Sequence, residues 1–224
     1  MLKTLQEFLK SIGLIPIREY QEPFDYNIND YDLSGEEEKD KIQLHKDFLL
    51  SVLQEENNRL SFVENKTTQI ISQTSIIFSL VGLIIPIVID KFDDVSFFIK
   101  LTLILLLMIS FFMYLISIRN ALKNLNIKKF KYPYANPENV ITLKDKTVEE
   151  FNSELIRDYL YCIKKTVLIN NIKGTNLLHA YKSFKIANYF TGIIIIVICS
   201  LVLFTTQKEK ISRVKIETPV KLIK

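Results

Sequence analysis

The chain is poor in the residues from which most reactive centres are built: among 224 residues, two are cysteine, two histidine and five glycine. Cys162 falls in a soluble segment and Cys199 in an apolar one, which makes a disulfide between them geometrically implausible, and neither has metal-ligand spacing around it. His45 and His179 have no second titratable partner at motif spacing, so both read as ordinary polar helix residues. The glycines are scattered and form no phosphate-cradling loop. These shortages argue against an enzyme and imply no cofactor and no metal.

What the sequence has instead is three apolar runs, Ile70 to Ile89, Phe97 to Ile118 and Ile186 to Phe204. Each is about 20 residues, and at about 1.5 Å of rise per residue a helix of that length crosses a hydrocarbon core of roughly 30 Å. Hydrophobic residues make up 48% of the chain and charged residues 24%, and the two coexist because the charges lie almost wholly outside the runs. Lys100, one turn into the second run, is placed to snorkel to the headgroups as an interfacial anchor. The runs hold no paired acid, base or metal ligands, so a membrane-embedded enzyme is the weakest reading.

The soluble parts read as helix. Leu2, Leu5, Phe8, Leu9 and Ile12 share one face of an amphipathic segment, and Lys3, Gln6, Glu7 and Lys10 interrupt the continuous run that a signal peptide needs. Its roles are packing against the soluble helices, the reading favoured here, or lying on the membrane surface. Pro16 to Leu33 is a loop by its prolines and Asn/Asp content. Ser34 with Glu37 forms a capping-box pattern, and neither Gly nor Pro follows from Glu36 to Val81. Ile42, Leu49, Leu53, Leu60 and Val63 recur at helical intervals on one side, as in a stalk against a partner helix that continues into the first span.

Thr147 with Glu150 repeats the capping pattern, and Val148, Phe151, Leu155, Tyr159 and Cys162 then line a helix face. Asn170, Asn171 and Gly174 should weaken that helix before a last one enters the third span. The predicted fold is all-α and integral to the membrane: three transmembrane helices with a small cytosolic helical bundle. Its parts are an N-terminal helix and loop (1–33), a stalk (34–69), a transmembrane hairpin (70–118), a cytosolic linker and helices (119–185), a third span (186–206) and a basic tail (207–224). A weak strand-like alternation occurs only from Ile211 to Glu217.

Positive charge is denser beside the N-terminal and central segments, notably Arg59, Lys66, Arg119, Lys123, Lys128, Lys129 and Lys131, which puts them in the cytoplasm. The run Lys128-Lys129-Phe130-Lys131 has the look of a nucleic-acid surface, but topology and anionic lipid explain a juxtamembrane basic segment more simply, so no direct nucleic-acid partner is expected.

Thr68, Ser72, Ser75, Ser79, Gly82 and Pro86 fall on one face of the first span, flanked by Gln69 and Gln73. Small polar residues of this kind allow close helix approach in lipid. One reading is packing among the chain's own spans, with a kink at Pro86; the other is a face that self-assembles and lines an oligomeric pore.

The layout resembles a family. A helix ending in Glu64-Asn65-Lys66-Thr67-Thr68-Gln69 before a span, a short-looped second span, and a helical insert ending in Tyr181-Lys182-Ser183-Phe184-Lys185 before a third are similar to the small membrane effectors of bacterial anti-phage systems. These include Pycsar transmembrane effectors, two-helix effectors of nucleotide-signalling operons and membrane proteins paired with retrons. The resemblance covers roughly residues 50–206. It implies impairment of the bacterial inner membrane after infection is sensed, leading to growth arrest or death. With no phosphate-cradling loop in the chain, sensing would rest on the helical bundle or on a separate partner, a cytosolic sensor or nucleotide signal, and a homo-oligomer is expected. The alternative is a membrane scaffold that recruits a cytosolic partner through the stalk.

Overall fold

The computed structural model describes residues 2–15, 26–31, 39–90, 95–126, 133 and 138–204. They are helical, with no strand among them: α1 (Leu2–Ser11), α2 (Lys39–Asp90), α3 (Phe97–Leu122), α4 (Glu138–Thr142) and α5 (Val148–Phe204), with short 3-10 turns at Ile28–Asp30 and Lys123–Leu125. α2, α3 and α5 are each long and apolar enough to cross a membrane, as the three runs predict. The Ser34 capping pattern, the basic run and the tail lie outside the described residues.

α2 and α5 are stalk and span in one piece, 52 and 57 residues long. They run parallel and in register. Asn170 contacts Glu56 across an offset of 114 positions, and the same offset relates Ile42 to Ile156, Leu49 to Ile163 and Ile70 to Phe184, pairs that share buried clusters. The period is seven residues, so the partner helix expected for the stalk is α5 of the same chain. Among the stalk positions picked out from sequence, Ile42, Leu49 and Val63 are buried, and Leu53 and Leu60 are half-buried.

α5 departs from expectation in two ways. It does not break at Asn170, Asn171 or Gly174. Asn170 is fully buried and its amide donates to the Glu56 carbonyl and carboxylate, both at 2.8 Å; such contacts outweigh a propensity penalty of about 1 kcal/mol at a glycine. Its buried face is also centred on Ile156 and Ile163: of the residues read from sequence Cys162 is buried and Tyr159 packs on that cluster, Phe151 and Leu155 are half-buried, and Val148 at the start is 72% exposed. The Thr147 capping box forms as expected: Glu150 N–H donates to Thr147 Oγ1 at 3.3 Å, and Thr147 N–H to Glu150 Oε2 at 3.0 Å.

α3 runs antiparallel to α5, also with a period of seven. Leu103, Ser110, Ser117 and Asn124 are buried opposite Ile194, Ala187, Ala180 and Lys173. Ser110 Oγ donates to the Ala187 carbonyl at 3.1 Å, Ser117 Oγ to Ala180 at 2.8 Å and Asn124 Nδ2 to Lys173 at 3.0 Å. Such bonds need the two backbones close, which the small side chains of Ala180 and Ala187 allow.

α1 corrects the packing expectation. From Lys3 to Phe8 its residues are exposed, Leu9, Lys10 and Ile12 are half-buried, and only Gly13 beyond its end is buried.

Candidate functional site at the membrane boundary

The densest polar structure lies where the stalk meets the spans. Lys173 on α5 is buried and its Nζ donates to Glu64 Oε1 on α2 at 2.6 Å. One turn on, Asn124 Nδ2 reaches both Thr67 Oγ1 (3.1 Å) and the Lys173 carbonyl (3.0 Å), joining α2, α3 and α5. Thr67 itself donates to the Val63 carbonyl at 2.7 Å. Above it Arg59 Nη2 donates to Asn171 Oδ1 at 2.8 Å. Inside the membrane zone Tyr114 donates to Asn188 Oδ1 at 2.7 Å and meets Thr191, which also contacts Ser110. Buried polar groups linked in this way fix one register, because a shifted helix would strand them away from water.

The N-terminal segment is seated on the same layer. Gly13 has φ +80, and a β-carbon there would lie 2.6 Å from Ser183 Oγ and 2.7 Å from the His179 carbonyl, so only glycine fits. Ser183 donates to the Ile12 carbonyl at 2.7 Å and Asn120 Nδ2 to the Gly13 carbonyl at 3.0 Å. Asn120 follows the second apolar run and Ser183 precedes the third, so the seat marks the membrane boundary.

At the far end of the stalk a second strap joins the helices. Arg157 donates through Nε and Nη2 to the Tyr31 carbonyl, Lys164 Nζ to the Tyr26 carbonyl, and Tyr31 hydroxyl meets His45 Nδ1 at 3.1 Å. Burial pushes the Tyr26 phenol up against an opposing pull from Lys164. Burial also raises the Cys162 thiol, helped by Asp158. Among the described residues no three His, Cys, Asp or Glu side chains gather as a metal site. A groove of about 460 Å³ opens between α2 and α5 just below the Glu64 pair, lined by Lys66, Gln69, Gln73, Leu177, Tyr181 and Phe184 among others.

The residues singled out on the first span sit elsewhere. Thr68, Ser72, Ser75, Ser79, Gly82 and Pro86 are all exposed, turned away from α3 and α5. A side chain at Gly82 would meet no atom of the chain within 4 Å. The stripe is therefore not the packing face among the chain's own spans, which is formed on α2 by Thr67, Ile70, Thr74 and Val81. Three of its hydroxyls bond within the helix: Thr68 to the Glu64 carbonyl, Ser75 to Ile71 and Ser79 to Ser75. Such back-bonding lets hydroxyls face an apolar medium without another partner.

The α3–α5 ladder was the harder feature to find from sequence. Its signal is the seven-residue spacing of Ser110, Ser117 and Asn124 matched to that of Lys173, Ala180 and Ala187. No family model, no curated protein and no solved structure matches this chain.

Proposed function

We propose that this multi-pass membrane protein is a non-enzymatic bacterial effector of the anti-phage kind, which self-associates in the inner membrane and impairs it when its cytosolic stalk is triggered. The observation that carries the reading is the unbroken parallel register of α2 and α5, held from Ile42 and Ile156 down to Ile70 and Phe184. A displacement of the stalk has no joint in which to dissipate before it reaches the spans. The uncovered stripe from Thr68 to Gly82 supports self-association, because small residues facing outward leave room for a neighbouring helix. The resemblance supplies the trigger class, a cytosolic sensor or nucleotide signal.

Expression in bacteria carrying a membrane-potential dye, with and without phage infection, tests the proposal. The effector should depolarise infected cells, and Gly82→Leu should blunt the response while Leu80→Ile, exposed on another side of α2, should not. Unchanged potential in infected cells at matched membrane abundance would overturn it.

A second reading is favoured by one observation: Leu44, Phe48 and Phe62 are exposed on a single face of the stalk, opposite Ile42 and Leu49. A scaffold recruiting a cytosolic partner there would leave the potential unchanged, and Phe48→Glu would release the partner.

A further inference from the structure

We infer that α1 is an in-plane membrane anchor, with Leu5 and Phe8 immersed in the lipid headgroup and upper acyl region beside the points where α3 and α5 cross the boundary. The inference rests on the three spans and is independent of the effector reading.

Two observations meet here. α1 is amphipathic, with Leu5, Phe8, Leu9 and Ile12 on one side and Lys3, Gln6, Glu7 and Lys10 on the other. The chain leaves the outer part of the apolar side uncovered: Leu5 is 56% and Phe8 58% exposed, whereas Leu9 is half-buried and Ile12 packs on the cluster of Ile70, Tyr114, Ala180 and Phe184. A ten-residue helix that covers only the end of its apolar face has little stability in water, since isolated helices of this length are marginal.

The second observation fixes the occupant. The end of α1 is tied at Gly13 to Asn120 and Ser183. Asn120 lies two residues beyond the second apolar run and Ser183 three residues before the third. The tether therefore holds the helix at the height where the protein leaves hydrocarbon. A helix of ten residues is about 15 Å long, so no part of it travels far from that plane unless it stands upright. The nearest apolar medium is the bilayer that the exposed Leu105, Phe112, Ile193 and Ile196 of the spans face. Lys3 on the polar side is placed to meet anionic headgroups, as in interfacial helices generally, while Lys10 pairs with Glu7 at 2.8 Å.

The test uses the full chain with Cys162 and Cys199 replaced by alanine, reconstituted into vesicles of phosphatidylcholine and phosphatidylglycerol. A nitroxide is attached in separate samples at Leu5→Cys, Phe8→Cys and Gln6→Cys, and its collision rates with oxygen and with a water-soluble nickel chelate are compared. Immersion predicts high oxygen and low nickel access at positions 5 and 8, with the ratio inverted at position 6. Nickel access at positions 5 and 8 equal to that at position 6 would place the helix in water and overturn the inference. Low access to both reagents at positions 5 and 8 would mean cover by protein, which overturns it as well. Using two positions guards against one label disturbing the fold, and the oxygen profile of a label at Leu105→Cys on α3 verifies that the spans are inserted.

Discussion

The Lys173–Glu64 pair should break asymmetrically. The two charges lie 2.6 Å apart, but the Lys173 side chain is 4% exposed and that of Glu64 is 43% exposed. At an effective dielectric of 20 the gross attraction is about 6 kcal/mol, most of which offsets the cost of taking the ammonium out of water. Glu64→Ala removes the attraction and keeps the burial, so about 3 kcal/mol of stability should be lost. Lys173→Met removes the buried charge, keeps a side chain of similar length and leaves a carboxylate that water reaches, so its cost should be about 1 kcal/mol or less. The double variant should be no worse than Lys173→Met alone, since no buried ammonium then remains. The assay is unfolding of the full chain, titrated from mild detergent micelles into a denaturing detergent and followed by helical circular dichroism. If Lys173→Met costs as much as Glu64→Ala, burial does not govern this pair and the account of the boundary layer fails.

Three other expectations follow from the packing and a fourth from the charge distribution. Tyr114→Phe should lower stability in the same titration by about 1 kcal/mol, within the range for interhelical hydrogen bonds in membranes, and no change would mean that the Asn188 and Thr191 contacts are energetically idle. Gly13→Ala should raise amide exchange from Ile12 to Ile15 and leave the α3–α5 ladder protected, because the added carbon collides with Ser183 and the His179 carbonyl; unchanged exchange would remove the seat. Cys162, buried and with its thiol raised above the usual range, should react with maleimide more slowly near neutral pH than a cysteine placed at the more open Ser153, and should gain on it as pH rises toward the shifted value; equal rates throughout would contradict its burial. Cysteines at Ser96 and Ser212 should be labelled from outside by an impermeant reagent and one at Ser153 should not, and labelling of Ser153 in intact cells would invert the orientation.

The spans and the stalk were legible because each is a one-dimensional pattern: twenty apolar residues, or Ile42, Leu49 and Val63 at multiples of seven. The Thr147–Glu150 box was legible for the same reason, since its partners are three residues apart. The continuity of α5 was hidden because local propensity at Asn170 and Gly174 opposes helix, and the bond that overrides it goes to Glu56 on another element. The direction of the Thr68 to Pro86 stripe was hidden because periodicity groups residues on a face without saying what that face meets. Thr67 and Thr74, a third of a turn away, form the chain's own interface with the same chemistry. Gly13 was unreadable because its constraint comes from Asn120 and Ser183, far along the chain.

That last distance orders events during synthesis. Ile12 and its partner Ser183 are 171 positions apart, and Gly13 and Asn120 are 107 apart. At a typical 5–20 residues per second, roughly 10–30 s separate the emergence of the two sides of the Ser183 contact from the ribosome. Throughout that interval the Gly13 turn lacks a complete seat, while the first two spans are handed to the membrane. The seat closes only once the chain has been made up to the threshold of its third crossing. Docking of the Gly13 turn is thus a late assembly event, and the order of its two bonds, Asn120 available before Ser183, is imposed by the chain itself.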